Sequence, residues 1–428
     1  MKLTLPYGTT TVEVEIPAKN LISVSPPNDL PPSEDINEAF RNALGNPIGT
    51  PPLEKMVKKG DTVAIVIDDI TRPTPSRLIL ERLLKPILAR GVRKEDIVIL
   101  VALGLHRPLT EREIRGLTGD DIFEQYRVLN HEPWNREAMT YLGKSKSGNN
   151  IWINSILAEA DVKILTGLVR PHPVFGYTGG RKSILPGISD GETVLYNHRA
   201  EWHLFDPNCD NLVIENNPAH LDALDIAKRV GVNFIVNVVL NRKKEIVKVV
   251  AGDVEQAWRE GVSIVDQMSL WEISERADII VSTPGGYPSD QNLYQSLAVP
   301  TRKNPVFRDG ATIITATRCE DGVGEERMYE ILSKAKRLED IVESVDQGKI
   351  TDYELASYAY AYFMLKHKLS YIAVTDGVSK KDLSAMFIES ADSVQEAVDE
   401  AFRRQGKDAR VLVIPDSKNI IPRLGRET

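Results

Sequence analysis

Residues 62–102 read Thr62-Val-Ala-Ile-Val-Ile-Asp68-Asp69-Ile-Thr71-Arg72-Pro73-Thr74-Pro75-Ser76-Arg-Leu-Ile-Leu-Glu-Arg-Leu-Leu-Lys-Pro-Ile-Leu-Ala-Arg-Gly91-Val-Arg-Lys-Glu-Asp96-Ile-Val-Ile-Leu-Val-Ala102. The run Thr62–Asp68 is continuously apolar and rich in β-branched residues, the pattern of a strand buried on both faces. In Ser76–Gly91 the apolar residues return at helical spacing and a glycine closes the segment. Asp96–Ala102 is a second buried strand. A strand, a helix and a strand in this order form a parallel pair with the helix packed across it.

The same rhythm extends outward in both directions. Upstream, Lys2–Leu5 and Thr11–Ile16 around the Pro6–Gly8 turn predict a hairpin, Ser25–Glu34 a loop and Ile36–Leu44 a short helix. Downstream, Thr110–Thr118 starts a helix with the Thr-x-x-Glu pattern of a capping box. Strands follow at Asp161–Thr166, Phe234–Leu240 and Glu245–Val250, with helices at Pro218–Gly231 and Val254–Gln267. After Glu272–Arg276 the alternation restarts. Strands are predicted at Asp278–Ser282, Ala311–Ala316, Tyr371–Val374 and Arg410–Ile414. The helices between them are Gln291–Leu297, Glu325–Lys334, Tyr353–Lys366 and Val394–Arg403. The expected fold is therefore α/β: two α/β domains, residues 1–270 and 271–428, each with a largely parallel sheet. In such sheets ligands gather at the carboxyl ends of strands, which points to an active-site cleft between the domains.

The bulk composition narrows the class. With 428 residues the chain exceeds one ordinary core. The net charge of −8 disfavours nucleic acid as a partner. No apolar run reaches membrane-spanning length and no export signal opens the chain, so the expected location is the cytoplasm. Two cysteines, Cys209 and Cys319, are too few for a disulfide framework or a thiolate cage.

Chemistry concentrates after the predicted strands. The densest segment is Thr166-Gly-Leu-Val-Arg170-Pro-His172-Pro-Val-Phe-Gly176-Tyr-Thr-Gly179-Gly180-Arg181-Lys182-Ser183. Its glycines allow close backbone approach and its cations suit an anion. A phosphate-binding P-loop needs glycine directly before the lysine, and Arg181 stands there instead. Three of the seven histidines, His106, His172 and His198, fall in loops of Gly, Pro and Arg, where imidazole serves as proton shuttle or metal ligand. His131, His203, His220 and His367 are assigned to structure, because a lone histidine is more often a satisfied hydrogen-bonder. Asp68 and Asp69, at a strand end, suit a metal, a ribose or the orientation of a histidine, or simply cap a turn. Arg72 is a bidentate partner for a carboxylate or phosphate.

Taken together, these segments resemble the nickel-dependent lactate racemase family. The resemblance runs through Asp69-x-Thr71-Arg72-Pro, Gly104-x-His106-Arg107, Pro171-His172, Gly179-Gly180-Arg181-Lys182, Asn197-His198 and Gly285-Gly286-Tyr287-Pro288-x-Asp290-Gln291-Asn292-x-Tyr294-Gln295. It implies a cofactor, pyridinium-3,5-bisthiocarboxylic acid mononucleotide, holding nickel as a pincer and attached through one arm to Lys182. It further implies His198 as nickel ligand and His106 and His172 as the acid/base pair. Asp69, Thr71, Gly179, Gly180 and Arg181 would line the cofactor, and Arg72, Tyr294 and Gln295 the substrate. The implied reaction is inversion at C2 of a 2-hydroxy acid by reversible hydride transfer, with cofactor-maturation proteins as partners. In the family a lysine follows the Tyr-Gln pair by three residues, and here that position is Ala298. Loss of this cation suggests a larger or more polar hydroxy acid, such as a sugar acid, with Arg302 or Lys303 supplying charge. The rival readings are a nicotinamide-dependent dehydrogenase, for which no Gly-x-Gly-x-x-Gly turn is present, and a non-catalytic sugar-acid or nucleotide-binding protein.

Overall fold

The computed structural model describes residues 1–23, 29–199, 201–297, 305–346 and 355–425. The chain divides into two compact units: Asp29–Gln267, and Met1–Asn28 together with Met268–Thr428.

The first unit is built on a six-stranded sheet in the order Ile246–Gly252, Phe234–Leu240, Val162–Leu168, Val63–Asp68, Ile97–Ala102, Arg127–Asn130. All neighbours are parallel except the edge strand Ile246–Gly252, which returns antiparallel along Phe234–Leu240. Val63 through Ile67 are fully buried, as a continuous β-branched run demands when both faces are covered. The helix Ser76–Ala89 lays Ile79, Leu80, Leu83, Leu84 and Ile87 on that sheet. Each such side chain contributes roughly 1.5–3 kcal/mol of burial. Thr110 caps Glu111–Thr118 through a reciprocal box with Glu113, as the sequence predicts.

The chain runs outward from Val63–Asp68 through Ile97–Ala102 to Arg127–Asn130. It then crosses back to lay Val162–Leu168 on the other flank of Val63–Asp68. The reversal is a topological switch point, where loops leaving the two strands diverge and a crevice opens. The loops starting at Asp69 and Val169 leave from its two sides.

The second unit carries its own six-stranded sheet, all parallel, in the order Glu389–Ser390, Ser370–Val374, Phe307–Ala316, Ala277–Ser282, Val411–Ile414, Leu21–Ser23. The membership of Leu21–Ser23 differs from the division at residue 270 drawn on sequence. The predicted hairpin, observed as Lys2–Tyr7 and Thr10–Glu15, belongs here too, with Leu5, Val14 and Ile16 packed among Ile279, Ile314 and Val398. Met1–Asn28 thus group with the C-terminal segment because the edge beside Val411–Ile414 is completed by the N-terminal chain. The helix predicted over Gln291–Leu297 is one turn, Leu293–Ser296, capped by Asn292. Among the described residues no helix is long and apolar enough to cross a membrane.

Candidate active site

Asp69 begins the loop after Val63–Asp68, and its Oδ1 accepts from Thr71 N–H at 3.0 Å and Thr71 Oγ1–H at 2.5 Å. This turn directs Arg72 away from the strand. Arg72 donates Nη1 to Thr71 Oγ1 at 2.9 Å, leaving Nε and Nη2 without a protein partner among the described residues. The other carboxylate oxygen of Asp69 lies 2.5 Å from His106 Nδ1, on the loop after the neighbouring strand Ile97–Ala102. Burial alone would raise the Asp69 carboxyl. The charges of His106 and Arg72 and the hydrogen bonds of His106 and Thr71 outweigh burial and hold it at about 2. The carboxylate orients the ring with Nδ1–H toward itself, so Nε2 faces outward. The His106 side chain is 35% exposed, open to a ligand.

The loop after Val162–Leu168 forms the second half. Pro171–His172 and Gly176–Tyr177 pair as a two-residue hairpin. His172 Nδ1 accepts from the Val174 and Phe175 N–H groups, each at 3.2 Å, so the side chain caps its own turn. Its Nε2 lies 3.1 Å from Lys182 Nζ, which also sits 4.0 Å over the Phe175 ring. Burial pushes both His172 and Lys182 well below their ordinary values, and neighbouring cations, Arg72 among them, act in the same direction.

His198 caps the C-terminal end of helix Gly191–Asn197 and donates Nδ1–H to Val194 O at 3.0 Å. That fixes the tautomer and leaves Nε2 as a ligating nitrogen. Burial, with the charge of Lys182 next, lowers His198 to about 3, so it is neutral at physiological pH. Both Lys182 and His106 act electrostatically on His198, and Phe175 packs against both His172 and His198. The structure therefore brings Asp69, Thr71, Arg72, His106, His172, Lys182 and His198 to one end of the sheet in the Asp29–Gln267 unit.

Arg181, Gly179 and Gly180 hold the loop together from inside. Arg181 is 0% exposed, and its five hydrogen bonds all stay within the protein. Four go to the carbonyls of Phe175, Tyr177, Thr178 and Gly179, and the fifth to His220 Nδ1. With the guanidinium 3.9 Å over the Trp258 ring, this side chain is the internal strut of the loop. Gly179 and Gly180 adopt φ of +79° and +52°. A Cβ at Gly179 would meet Asn237 Oδ1 at 3.0 Å and Leu168 O at 3.1 Å; at Gly180 it would meet Trp258 and Val254 O, both at 3.1 Å. These glycines let the loop pack closely on its own protein.

Tyr294 and Gln295 lie in the other compact unit, on Leu293–Ser296. The Gln295 carbonyl accepts from the Lys418 ammonium. Ala298, Arg302 and Lys303 lie outside the described residues.

Two features escaped the sequence reading. His203, in a π-helical turn Glu201–Phe205, is 7% exposed and stands 4.6 Å, ring to ring, from His198. π-Turns inside helical segments frequently mark functional sites, but no pattern in the sequence announces one. The second is the buried carboxylate of Asp222, which accepts from Ser145 and Ser147 hydroxyls at 2.6 Å each, from Asn149 Nδ2 at 3.1 Å and from Asn197 Nδ2 at 3.0 Å. This network fixes Asn197, the residue before His198. His131, His220 and His367 hold structural positions against Ser189 O, Arg181 and Asp309.

Among the described residues no group of three or more His, Cys, Asp or Glu is arranged to hold a metal unaided. The unpartnered Nε and Nη2 of Arg72, the available Nε2 of His198 and the half-buried Lys182 nevertheless fit an anionic group that is tethered at Nζ and brings a metal within reach of one imidazole.

Comparison with known proteins gives the family. Residues 7–208 match the lactate racemase N-terminal domain and residues 273–421 the lactate racemase C-terminal domain. A lactate racemase of Thermoanaerobacterium thermosaccharolyticum is 32% identical over 424 residues, covering 98% of each chain. That of Lactiplantibacillus plantarum is 33% identical over 431 residues, covering 97% of this chain and 98% of the relative. The structure of the T. thermosaccharolyticum lactate racemase apoprotein superposes with a TM-score of 0.86 at 31% identity, over 99% of this chain and 100% of that one. A Thermotoga maritima protein, 19% identical with a TM-score of 0.68 over 92% of this chain and 99% of its own, shares the fold. With both domains matched and near-complete coverage by relatives, the chain belongs to the lactate racemase family of isomerases.

Proposed function

We propose that this chain is a nickel-dependent racemase or epimerase that inverts C2 of a small 2-hydroxy acid, with a nickel-pincer nucleotide held covalently at Lys182. The observation that carries the reading is Lys182 Nζ, half-buried, paired with His172 Nε2 at 3.1 Å and without an ion-paired carboxylate among the described residues. A desolvated lysine with no close counter-ion is costly unless it is neutral and reactive. When bound, the nucleotide supplies a hydride acceptor.

The remaining work falls to side chains of the chain itself. Arg72 binds the substrate carboxylate through Nε and Nη2. His106, oriented by Asp69, takes the C2 hydroxyl proton at Nε2 from one enantiomer, and His172 exchanges the corresponding proton for the other. Two imidazoles on separate loops suit a reaction that must run from either hand. His198 supplies Nε2 to nickel. The dyad of His106 and Asp69 favours catalysis over simple binding, because a sensor needs no oriented base.

The test is intact mass and nickel content of chain produced together with the cofactor-maturation proteins, beside a Lys182→Ala variant. A mononucleotide-sized mass increase with about one nickel per chain, both lost in the variant, is the expected result. An unmodified, metal-free wild-type chain would overturn the reading in favour of a sugar-acid or nucleotide-binding protein.

A further inference from the structure

The imidazole of His172 is constrained at both nitrogens. Nδ1 accepts two backbone N–H groups, from Val174 and Phe175, at 3.2 Å each. A nitrogen in that position carries no proton, because an N–H there would face two donors. The ring is therefore neutral, its one proton is on Nε2, and Nε2–H needs an acceptor. The atom 3.1 Å away is Lys182 Nζ. An ammonium has three donors and no lone pair, so it cannot accept.

From this hydrogen-bond polarity we propose that Lys182 in the cofactor-free chain is a free amine at neutral pH, held by His172 Nε2–H, and attacks small carbonyl compounds bearing a carboxylate, the 2-oxo acids. The tether reading is deepened by this, and only the identity of the physiological electrophile rests on it. The surroundings agree. Burial is the largest influence on Lys182; Arg72, Arg181 and Arg170 press the same way, and Asp68 alone opposes. Asp68 is itself buried and raised by that burial, its Oδ2 accepting from Thr74 Oγ1 at 2.6 Å, so it is a weak counter-ion. Arg72, one of the charges acting on Nζ, offers Nε and Nη2 to the carboxylate of an incoming oxo acid. In the step, Nζ forms a bond to the carbonyl carbon and the carbonyl oxygen leaves as water with the two amine protons, giving an imine. Once Nζ is acylated it no longer accepts, and His172 Nε2 is released to exchange a proton with substrate.

Cofactor-free chain, produced without maturation proteins, is treated with pyruvate and cyanoborohydride between about pH 6 and about pH 9, and lysine modification is mapped by peptide mass spectrometry. Cyanoborohydride delivers hydride to the imine carbon and fixes it as a secondary amine. Lys182 is expected to be labelled at least about tenfold faster at pH 7 than the exposed Lys59 and Lys381, with a flat pH profile where theirs rise steeply. In His172→Gln the carboxamide can accept from an ammonium, so Lys182 labelling falls roughly tenfold at pH 7 and regains the steep rise. Arg72→Gln is expected to slow labelling by pyruvate but not by formaldehyde, which has no carboxylate. Lys182 labelling no faster than the exposed lysines, with their pH profile, would overturn the proposal, and the wild-type profile decides this even if a variant fails to fold. Fast labelling of a chain that never acquires a nucleotide would uphold the free amine and remove the tether.

Discussion

Asp69 Oδ2 lies 2.5 Å from His106 Nδ1, joining the loops that follow two adjacent parallel strands. The carboxylate selects the tautomer in which Nε2 faces outward, and it stabilises the imidazolium formed when that nitrogen takes a proton. Asp69→Asn keeps the shape but can donate its amide to Nδ1, favouring the wrong tautomer. The expected outcome is a fall in kcat of about 10²-fold or more with KM little changed, measured by racemisation from each enantiomer. An unchanged kcat would remove Asp69 from the mechanism.

The same pair sets an acid limit on the fold. Asp69 is held at about 2 in the folded protein, below an unfolded value near about 3.9. Folding therefore favours the charged carboxylate. Its contribution, roughly 2 kcal/mol, is complete above about pH 4 and is lost as pH falls through about 2. Urea unfolding of wild type and Asp69→Asn at stepped pH should show a difference that narrows across that window. A constant difference would show that the carboxylate's charge plays no part.

Much of this architecture is legible in the sequence because its strands are continuous β-branched runs, such as Val63–Asp68 and Phe234–Leu240, and its helices keep regular spacing. The chemistry also clusters visibly, since Gly, Pro, Arg and His rarely gather in plain loops. Long-range pairing is another matter. Nothing in Leu21–Ser23 indicates that it lies beside Val411–Ile414, because parallel pairing leaves no local turn signature. Arg181 reads as a ligand cation, whereas the structure buries it among carbonyls. Which neighbours satisfy a guanidinium depends on loop closure, and that is not written in spacing. His203 was hidden for a related reason, since a π-turn shifts side chains off the helical period.

Arg181→Met tests the strut. Removing the guanidinium takes a donor from the carbonyls of Phe175, Tyr177, Thr178 and Gly179 and from His220 Nδ1 in a buried site, although Thr178 O keeps the Trp258 Nε1–H and Gly179 O the Lys182 N–H. Each buried orphan costs about 1–3 kcal/mol, so a total loss of roughly 3 kcal/mol or more is expected in urea denaturation after partial relaxation. A loss below about 0.5 kcal/mol would contradict the structural role.

Asp222 reaches His198 only through Asn197, so it is a positioning residue. Asp222→Asn places an amide where four donors converge. Helix Gly191–Asn197 then keeps only the Ala219 O anchor of its last side chain, and the His198 imidazole that we propose as nickel ligand is held less firmly. Nickel retained per chain after dialysis is expected to fall, with affinity weakened about 10–100-fold as for other partners that orient metal ligands. Mass of the attached nucleotide should be unchanged, because Lys182 lies on a different loop. Loss of the nucleotide together with nickel would show instead that the whole site had collapsed.

The resemblance brings the substrate to Tyr294 and Gln295. It also implies a lysine three residues after the Tyr294-Gln295 pair, and the residue there is Ala298, a small side chain with no charge. A pocket built to pair a charge discriminates strongly once that charge is gone, whereas added space alone changes preference by about 1–3 kcal/mol per methylene. Lys418, whose ammonium meets the Gln295 carbonyl, keeps positive charge beside the same residue. The expected pattern is kcat/KM at least about tenfold higher for four- to six-carbon polyhydroxy 2-hydroxy acids than for lactate. In Ala298→Lys this preference should shift back toward lactate, and in Lys418→Met KM should rise with nickel content unchanged. Racemisation followed by chiral chromatography across the series checks it. A wild-type preference for lactate would show that another cation replaces the missing lysine and that the extra volume at position 298 does not set the substrate.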